Sequence, residues 1–178
     1  TDTIADEDFT IHGLLGSKTI DVVANSSAKE IAEAVNIAFD STGVSATAST
    51  NLKIQGLATS GNEGSATLSI GIQGKNTTVR TISAGVTLGT AVGSSDLTNL
   101  SNSINAYSAE TGVVAVLSAD KATVYLTQDE GLDVILTDLD FADVGNAETH
   151  KLAVTGMDSR IFDTDGTTEL LSGSAVNV

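Results

Sequence analysis

Ser26-Ser27-Ala28-Lys29-Glu30-Ile31, followed by Val35-Asn36 and then Gly43-Val44, is the stretch that decides how this chain folds. Ile31, Ala34, Val35, Ala38 and Thr42 stand at i, i+3, i+4, i+7 and i+11. Their apolar members form one stripe on a helix of about four turns, about 15 residues. Ser27 is placed to cap that helix, Glu30 three residues later completes a capping box, and Gly43 stands where a left-handed terminal residue is wanted. At a constant offset of 69 residues the pattern returns as Ser95-Asp96, Leu100, Ile104-Asn105 and Gly112-Val113. There the stripe is Leu100, Ser103, Ile104, Tyr107 and Thr111, with Asp96 as the expected cap and Gly112 as the stop. Ile31, Val35, Leu100 and Ile104 are expected to be buried.

On either side of each helix the period changes from 3.6 to 2, the mark of half-buried strands. Phe9-Thr10-Ile11-His12 and Thr19-Ile20-Asp21-Val22-Val23 flank the turn Gly13-Leu14-Leu15-Gly16 and read as a hairpin. After the helix, Val44, Ala46 and Ala48 alternate with Ser and Thr, and Leu52 and Ile54 follow across a polar turn, a second hairpin. The next copy offers Leu68, Ile70 and Ile72 ahead of Gly74, then Val79 and Ile82, the helix, Val114 and Val116, and Val124 and Leu126. The added length of its approach to the helix is the stretch around Gly85 to Gly93. Beyond Gly131, Val134-Ile135-Leu136, Leu152-Ala153-Val154 and Leu170-Leu171 read as short strands between acidic turns, completing or linking the sheets. The expected fold is α+β: two hairpin–helix–hairpin repeats with antiparallel sheets, at 1–60 and 61–131, and a β-rich portion at 132–178.

Composition narrows the function. The 178 residues carry 8 Lys and Arg against 23 Asp and Glu, a net charge of -15, so there is no basic surface to track phosphates. Nucleic acid and anionic membranes are excluded as partners. Aromatics are only 3% of the chain and Trp is absent, so the core must be built from Val, Ile, Leu and Ala. Without cysteine there is no disulfide framework, thiolate metal site or cysteine nucleophile. No apolar run is long enough to span a bilayer, and Thr1-Asp2-Thr3 with Asp6, Glu7 and Asp8 is the opposite of a signal peptide's basic head. A cytosolic chain, another export route and a piece of a longer protein all fit these facts.

Phe9-Thr10-Ile11-His12-Gly13, Ile20-Asp21-Val22, a capped helix ending in Val35-Asn36, and Gly43-Val44-Ser45-Ala46 together resemble the flagellin hook IN motif. The second copy carries the Ile104-Asn105 pair itself, where the first has Val35-Asn36. The resemblance spans roughly residues 9 to 57 and 66 to 128, with Val35, Asn36, Gly43, Ile104, Asn105 and Gly112 as its structural motif residues. It implies a bacterial flagellin's variable outer region: an extracellular, non-enzymatic structural domain without a cofactor, exported by the flagellar apparatus. Its partners would be neighbouring flagellin subunits, held through terminal helical regions that this sequence lacks, and host receptors, antibodies or environmental surfaces. A hook-associated or filament-cap protein domain, and a secreted adhesin or glycan-binding module, are the alternative readings.

The other candidate residues have simpler accounts. Asn36 and Asn105 sit inside helices, where Asn is a weak former, and are expected to fix each helix to a neighbouring hairpin backbone. Asp163-Thr164-Asp165-Gly166 with Glu169 lacks the full calcium-loop spacing and reads as an Asp-Gly turn. Asp138, Asp140 and Asp143 read as a solvated strand end. His12 and His150 have no partner at zinc-protease spacing, and no G-x-S-x-G elbow accompanies them. Carboxylate pairs suited to glycoside hydrolysis lack the aromatic platforms on which sugars stack. Asn25, Asn76 and Asn99 each head an N-x-S/T sequon, a pattern frequent by chance in a Ser/Thr-rich chain. Surface O-glycosylation of Ser or Thr is implied by the resemblance.

Overall fold

The computed structural model describes residues 7–59, 64–91, 93–143, 150–157 and 176–177. Its fold is α+β with mostly antiparallel sheets. Asp163, Asp165, Gly166, Glu169 and Leu170-Leu171 lie outside the described residues, as does the His150 side chain. Two compact units form, one from residues 1–50 and 128–133, the other from 51–127 and 134–178.

In the first unit β1 (Glu7–His12) and β2 (Ser17–Val22) pair antiparallel, with Phe9 opposite Ile20 and Ile11 opposite Lys18. The Gly13 N–H donates to the Gly16 carbonyl at 2.8 Å and closes the turn between them. Alternation along β2 sends Ile20 and Val22 inward, where they meet Val35 and Ala38 of the helical segment. Ile11, Ile31, Ala34, Val44 and Ala46 pack around these four. Ile31 is half-buried rather than buried, because it lies in the first helical turn, at the margin of a small core.

The helical segment is two pieces, α1 (Ala28–Ile37) and α2 (Phe39–Thr42), where the stripe predicts one helix. At Ala38 the backbone N–H donates to the Val35 carbonyl three residues back, at 3.0 Å, which tightens the turn and resets the last one. The start of α1 follows the sequence closely. The Ser27 N–H donates to Glu30 Oε2 at 2.7 Å while the Glu30 N–H donates to Ser27 Oγ at 3.3 Å, a complete capping box. The Gly131 carbonyl accepts from the Lys29 N–H at 2.9 Å, which satisfies another first-turn donor.

Bonds from the Ser27 amide and hydroxyl hold the Glu30 carboxyl below its ordinary value. A lowered folded-state value means that this contribution is present above the unfolded value and is lost as pH falls through the lowered one. Ser27→Ala should cost about 1 kcal/mol in urea unfolding near neutral pH. The difference between variant and parent should shrink, without vanishing, below about pH 4, because the bond from the Ser27 hydroxyl to Glu30 counts only while the carboxyl is ionised, whereas the backbone N–H bond persists in the variant.

The second unit holds β3 (Thr50–Thr59), β4 (Gly64–Gln73), β5 (Arg80–Leu88), α3 (Thr98–Ala106), α4 (Ser108–Thr111), β6 (Val113–Leu117), β7 (Val124–Gln128), β8 (Ile135–Asp143), β9 (His150–Met157) and β10 (Val176–Asn177). One sheet runs β5-β4-β8 and the other β10-β9-β3-β7-β6. Leu68, Ile70 and Ile72 of β4 and Ile82, Ala84, Val86 and Leu88 of β5 alternate into a single apolar cluster. Leu97, Leu100 and Ile104 join it from the helical side, as α3 packs on β5 and β6. The buried apolar residues of this cluster are Val, Ile, Leu and Ala, while Tyr107 and Phe141 stay half-buried beside them. Asp96 accepts from the Thr98 N–H at 2.8 Å, one residue earlier than a regular cap, and its other oxygen meets Lys121 Nζ at 3.3 Å.

Three arrangements differ from the sequence-based expectation. Residues 44–49 join no strand ladder, and β3 lies between β9 and β7 instead of folding back on them. Both edges of β3 are thereby occupied. The second helix, like the first, breaks before its last turn, here at Tyr107, whose N–H donates to the Ile104 carbonyl at 3.0 Å. Asp138 and Asp140 lie exposed within β8 itself, and of the three only Asp143 stands at a strand end. β8 is one residue longer than β4 between Ser69 and Gly71, and Asp138, at φ 50, takes up the extra residue as a bulge.

Candidate functional site

The residues singled out by the sequence meet in a lock that ties helix, corner and following segment together. Val35 and Ile104 point into their cores, 6% and 0% exposed. The next residue on a helix is turned by about 100°, so Asn36 and Asn105 stand at the flank where the chain returns. Asn36 Nδ2 donates to the Ala46 carbonyl at 2.9 Å, and its Oδ1 accepts from the Ala46 N–H at 2.8 Å. Asn105 makes the same pair with Ala115, both bonds at 2.8 Å. The side-chain amide thus bonds one residue's donor and acceptor together, as a neighbouring antiparallel strand would.

Threonine and glycine complete the corner. Thr42 Oγ1 donates to the Ala38 carbonyl at 3.0 Å and accepts from the Val44 N–H at 3.1 Å. Thr111 Oγ1 does the same with the Tyr107 carbonyl and the Val113 N–H, at 3.0 and 3.2 Å. Gly43 and Gly112 follow at φ 72 and 69, left-handed values that cost a side-chain-bearing residue, and their N–H groups close the helix on Phe39 and Ser108. The Thr carbonyls then receive the hairpin turns, from the Leu15 N–H at 3.3 Å and the Lys75 N–H at 2.7 Å. Gly13 and Gly74 sit against these same carbonyls, where a Cβ would collide.

Gly74→Ala would set its Cβ 2.5 Å from the Thr111 carbonyl oxygen and 3.1 Å from Val113 Cγ2. The β4–β5 turn should be pushed off the corner at a cost of about 1–3 kcal/mol, typical of overpacking. Gly85→Ala, with nothing near its Cβ position, is the control in the same hairpin. Equal chemical-denaturation midpoints for the two variants would rule out the close approach.

Asn36 and Asn105 were legible as structural residues because Asn is out of place in a helix. The roles of Thr42, Thr111, Gly13 and Gly74 were not, since the stripe presents the threonines only as small members and the glycines only as turn formers. The signal that could have found the two threonines is the triplet Thr-Gly-Val, present at 42–44 and 111–113.

The remaining candidates lie apart. His12 is exposed, with Nδ1 2.7 Å from Ser17 Oγ across the hairpin. Asn76 Nδ2 donates to the Ile72 and Thr78 carbonyls and Asn99 Nδ2 to the Gly85 carbonyl, so the amides of two sequons staple backbone. Asn25 is exposed in a turn at φ 65. Among the described residues no group of three or more His, Cys, Asp or Glu is placed to hold a metal ion.

Both Asn amides bond the chain's own backbone with donor and acceptor together, an arrangement that fixes the helix to the returning segment. At both places the role of the amide is structural. The family model of the flagellin hook IN motif matches residues 8–61, which hold β1, β2, α1, α2 and β3 and with them the first lock. This segment is similar to the flagellin hook IN motif; residues 66–128, with the second lock, lie beyond the match. No curated protein matches the chain.

Proposed function

We propose that the chain is a surface-exposed outer domain of a flagellar filament subunit, extracellular, shaping the filament surface and its contacts with neighbouring subunits and the environment. The observation that carries this is the recurrence of one lock, donor for donor, 69 residues after the hook IN segment. On this reading residues 1–60 and 61–131 are two hook IN modules and 132–178 is a β-rich portion that adds strands to them. The net charge of -15 suits display at high density, since like-charged domains repel and stay soluble. Assembly with other flagellin subunits then runs through helical regions outside these residues, and catalysis has no part in it.

The test is to delete the coding region for residues 1–178 from the parent gene and image the filaments by electron microscopy. Filaments that still form but are thinner, and that lose binding of antibodies raised against this domain on intact cells, support the outer position. Unchanged filaments, or a parent that builds none, would overturn it.

A further inference from the structure

In the first unit the chain leaving Gly43 runs through residues 44–49 without a turn or bend, with Val44, Ala46 and Ala48 half-buried and Ser45 and Thr47 exposed. This segment is the counterpart of β6, which follows 69 residues later, and Asn36 holds Ala46 as Asn105 holds Ala115. Successive residues of an extended chain turn their N–H and C=O groups to opposite sides. Ala46 gives both of its groups to Asn36, so those of Ser45 and Thr47 face the other way. In the second unit β7 occupies that side of β6, and the Ser118 N–H donates to the Thr123 carbonyl at 2.9 Å at the end of their hairpin. In the first unit nothing stands in for β7. The backbone groups of Ser45 and Thr47 meet no hydrogen-bond partner among the described residues.

Other strand edges are guarded. β5 bridges to Asp96 at Thr87, and its Gly85 carbonyl accepts from the Asn99 amide. β6 is closed by Asn105 and Thr111. β8 carries a bulge and three aspartates. Val44 to Thr50 contains neither a charge nor a proline, two of the devices that keep a bare edge from pairing.

We propose that this edge is where two copies of the chain pair, strand against strand and antiparallel, about a two-fold axis at Ala46. The register follows from the backbone. With Ala46 opposite Ala46 of the second copy, Ser45 falls opposite Thr47 in both directions, and the two donors and two acceptors on each side find each other. Antiparallel ladders alternate bonded with non-bonded pairs, and the non-bonded pair here is Ala46 with itself, whose groups Asn36 already holds. The frame is thus complementary to itself in full, and its side chains are small and uncharged, so a second copy brings neither bulk nor like charges into the ladder.

So short an edge makes a weak contact. The proposal rests on the filament reading for its setting, since anchored copies reach a local concentration at which a weak contact is populated. The net charge of -15 on each copy opposes approach from a distance, so pairing should strengthen with added salt.

The experiment follows amide exchange by NMR, and mass by sedimentation, on the 178-residue chain from about 10 μM to about 1 mM at high salt. The Ala46 amide should exchange slowly at every concentration. The Ser45 and Thr47 amides should exchange fast when dilute and slow by about twofold or more as the mass climbs from one chain toward two. Ala46→Cys supplies the chain's only thiol on the axis, where Cα atoms of a non-bonded pair lie about 4.5 Å apart, and oxidation should link two copies. Ser45→Cys faces Thr47 instead of itself and should link at least about tenfold more slowly. A chain that stays monomeric, or that associates while Ser45 and Thr47 exchange as before, would overturn the proposal. So would protection of both amides in the dilute monomer, which assigns the edge to packing within the chain, and equal linking of the two cysteine variants, which refutes the register. The amide readout needs no variant, so a cysteine variant that fails to fold leaves it decisive. Filament thinning on deletion is read independently, so failure of the strand pairing leaves the outer-domain reading standing, and the reverse.

Discussion

Ile104→Asp is expected to abolish the cooperative melting of the second unit. Ile104 is 0% exposed and belongs to the cluster that joins α3 to β4, β5 and β6. Truncation to Ala alone should remove about 2–5 kcal/mol through lost transfer energy and the cavity left behind. Asp adds an unpaired carboxylate in an apolar site, and the combined cost reaches the whole stability of a small domain, about 5–15 kcal/mol. The measurement is circular dichroism during heating, with amide exchange to assign which unit has opened. Val35→Asp should do the same to the first unit, whose core rests on a cluster of four buried apolar residues and has less to lose. Ile37→Asp, at a position 86% exposed, serves as the control and should stay within about 0.5 kcal/mol of the parent. An unchanged melting temperature for Ile104→Asp would refute the core assignment.

Asn105→Ala should destabilise the second unit by about 1–3 kcal/mol and expose a strand edge as well. β6 is the outermost strand of its sheet, and the Ala115 N–H and C=O that meet Asn105 point away from β7. Thr111 Oγ1 occupies the Val113 N–H on the same strand. The helix thus closes an edge that would otherwise offer paired donors and acceptors to another chain. Ala115 is only 5% exposed, so water cannot fully replace the lost amide. Asn105→Asp should be the more damaging of the two, because a carboxylate accepts from the Ala115 N–H but sets a negative oxygen against the Ala115 carbonyl. Both variants should scatter more light on standing at high concentration than the parent does. Stabilities equal to the parent's, with no rise in scattering, would show that the edge needs no guard.

Much of the local structure was legible because its causes lie within a few residues. Ser27 and Glu30 satisfy donors one turn away, and Gly43 and Gly112 end their helices through the sterics of a single left-handed residue. Likewise the turn at Gly13–Gly16 fixes β1 against β2. The helix break was not legible, since Ala38 and Tyr107 are neither Gly nor Pro and the i→i−3 bond leaves no compositional mark. Nor were the partners of the Asn amides, because Ala46 and Ala115 take part through backbone atoms that every residue has.

The sequence by itself determined the α+β class, the capped start of the first helix, the left-handed stops at Gly43 and Gly112, the aliphatic core and the acidic surface, all of which follow from short-range sterics, hydrogen bonding and the separation of apolar from charged side chains. Only the tertiary structure decided that β3 lies between β9 and β7, that β8 joins β4, and that residues 44–49 stay out of any ladder. Alternation in a strand states which face is buried, whereas the choice of neighbour depends on which of several similar aliphatic edges packs best across long stretches of chain, and no single residue records that competition.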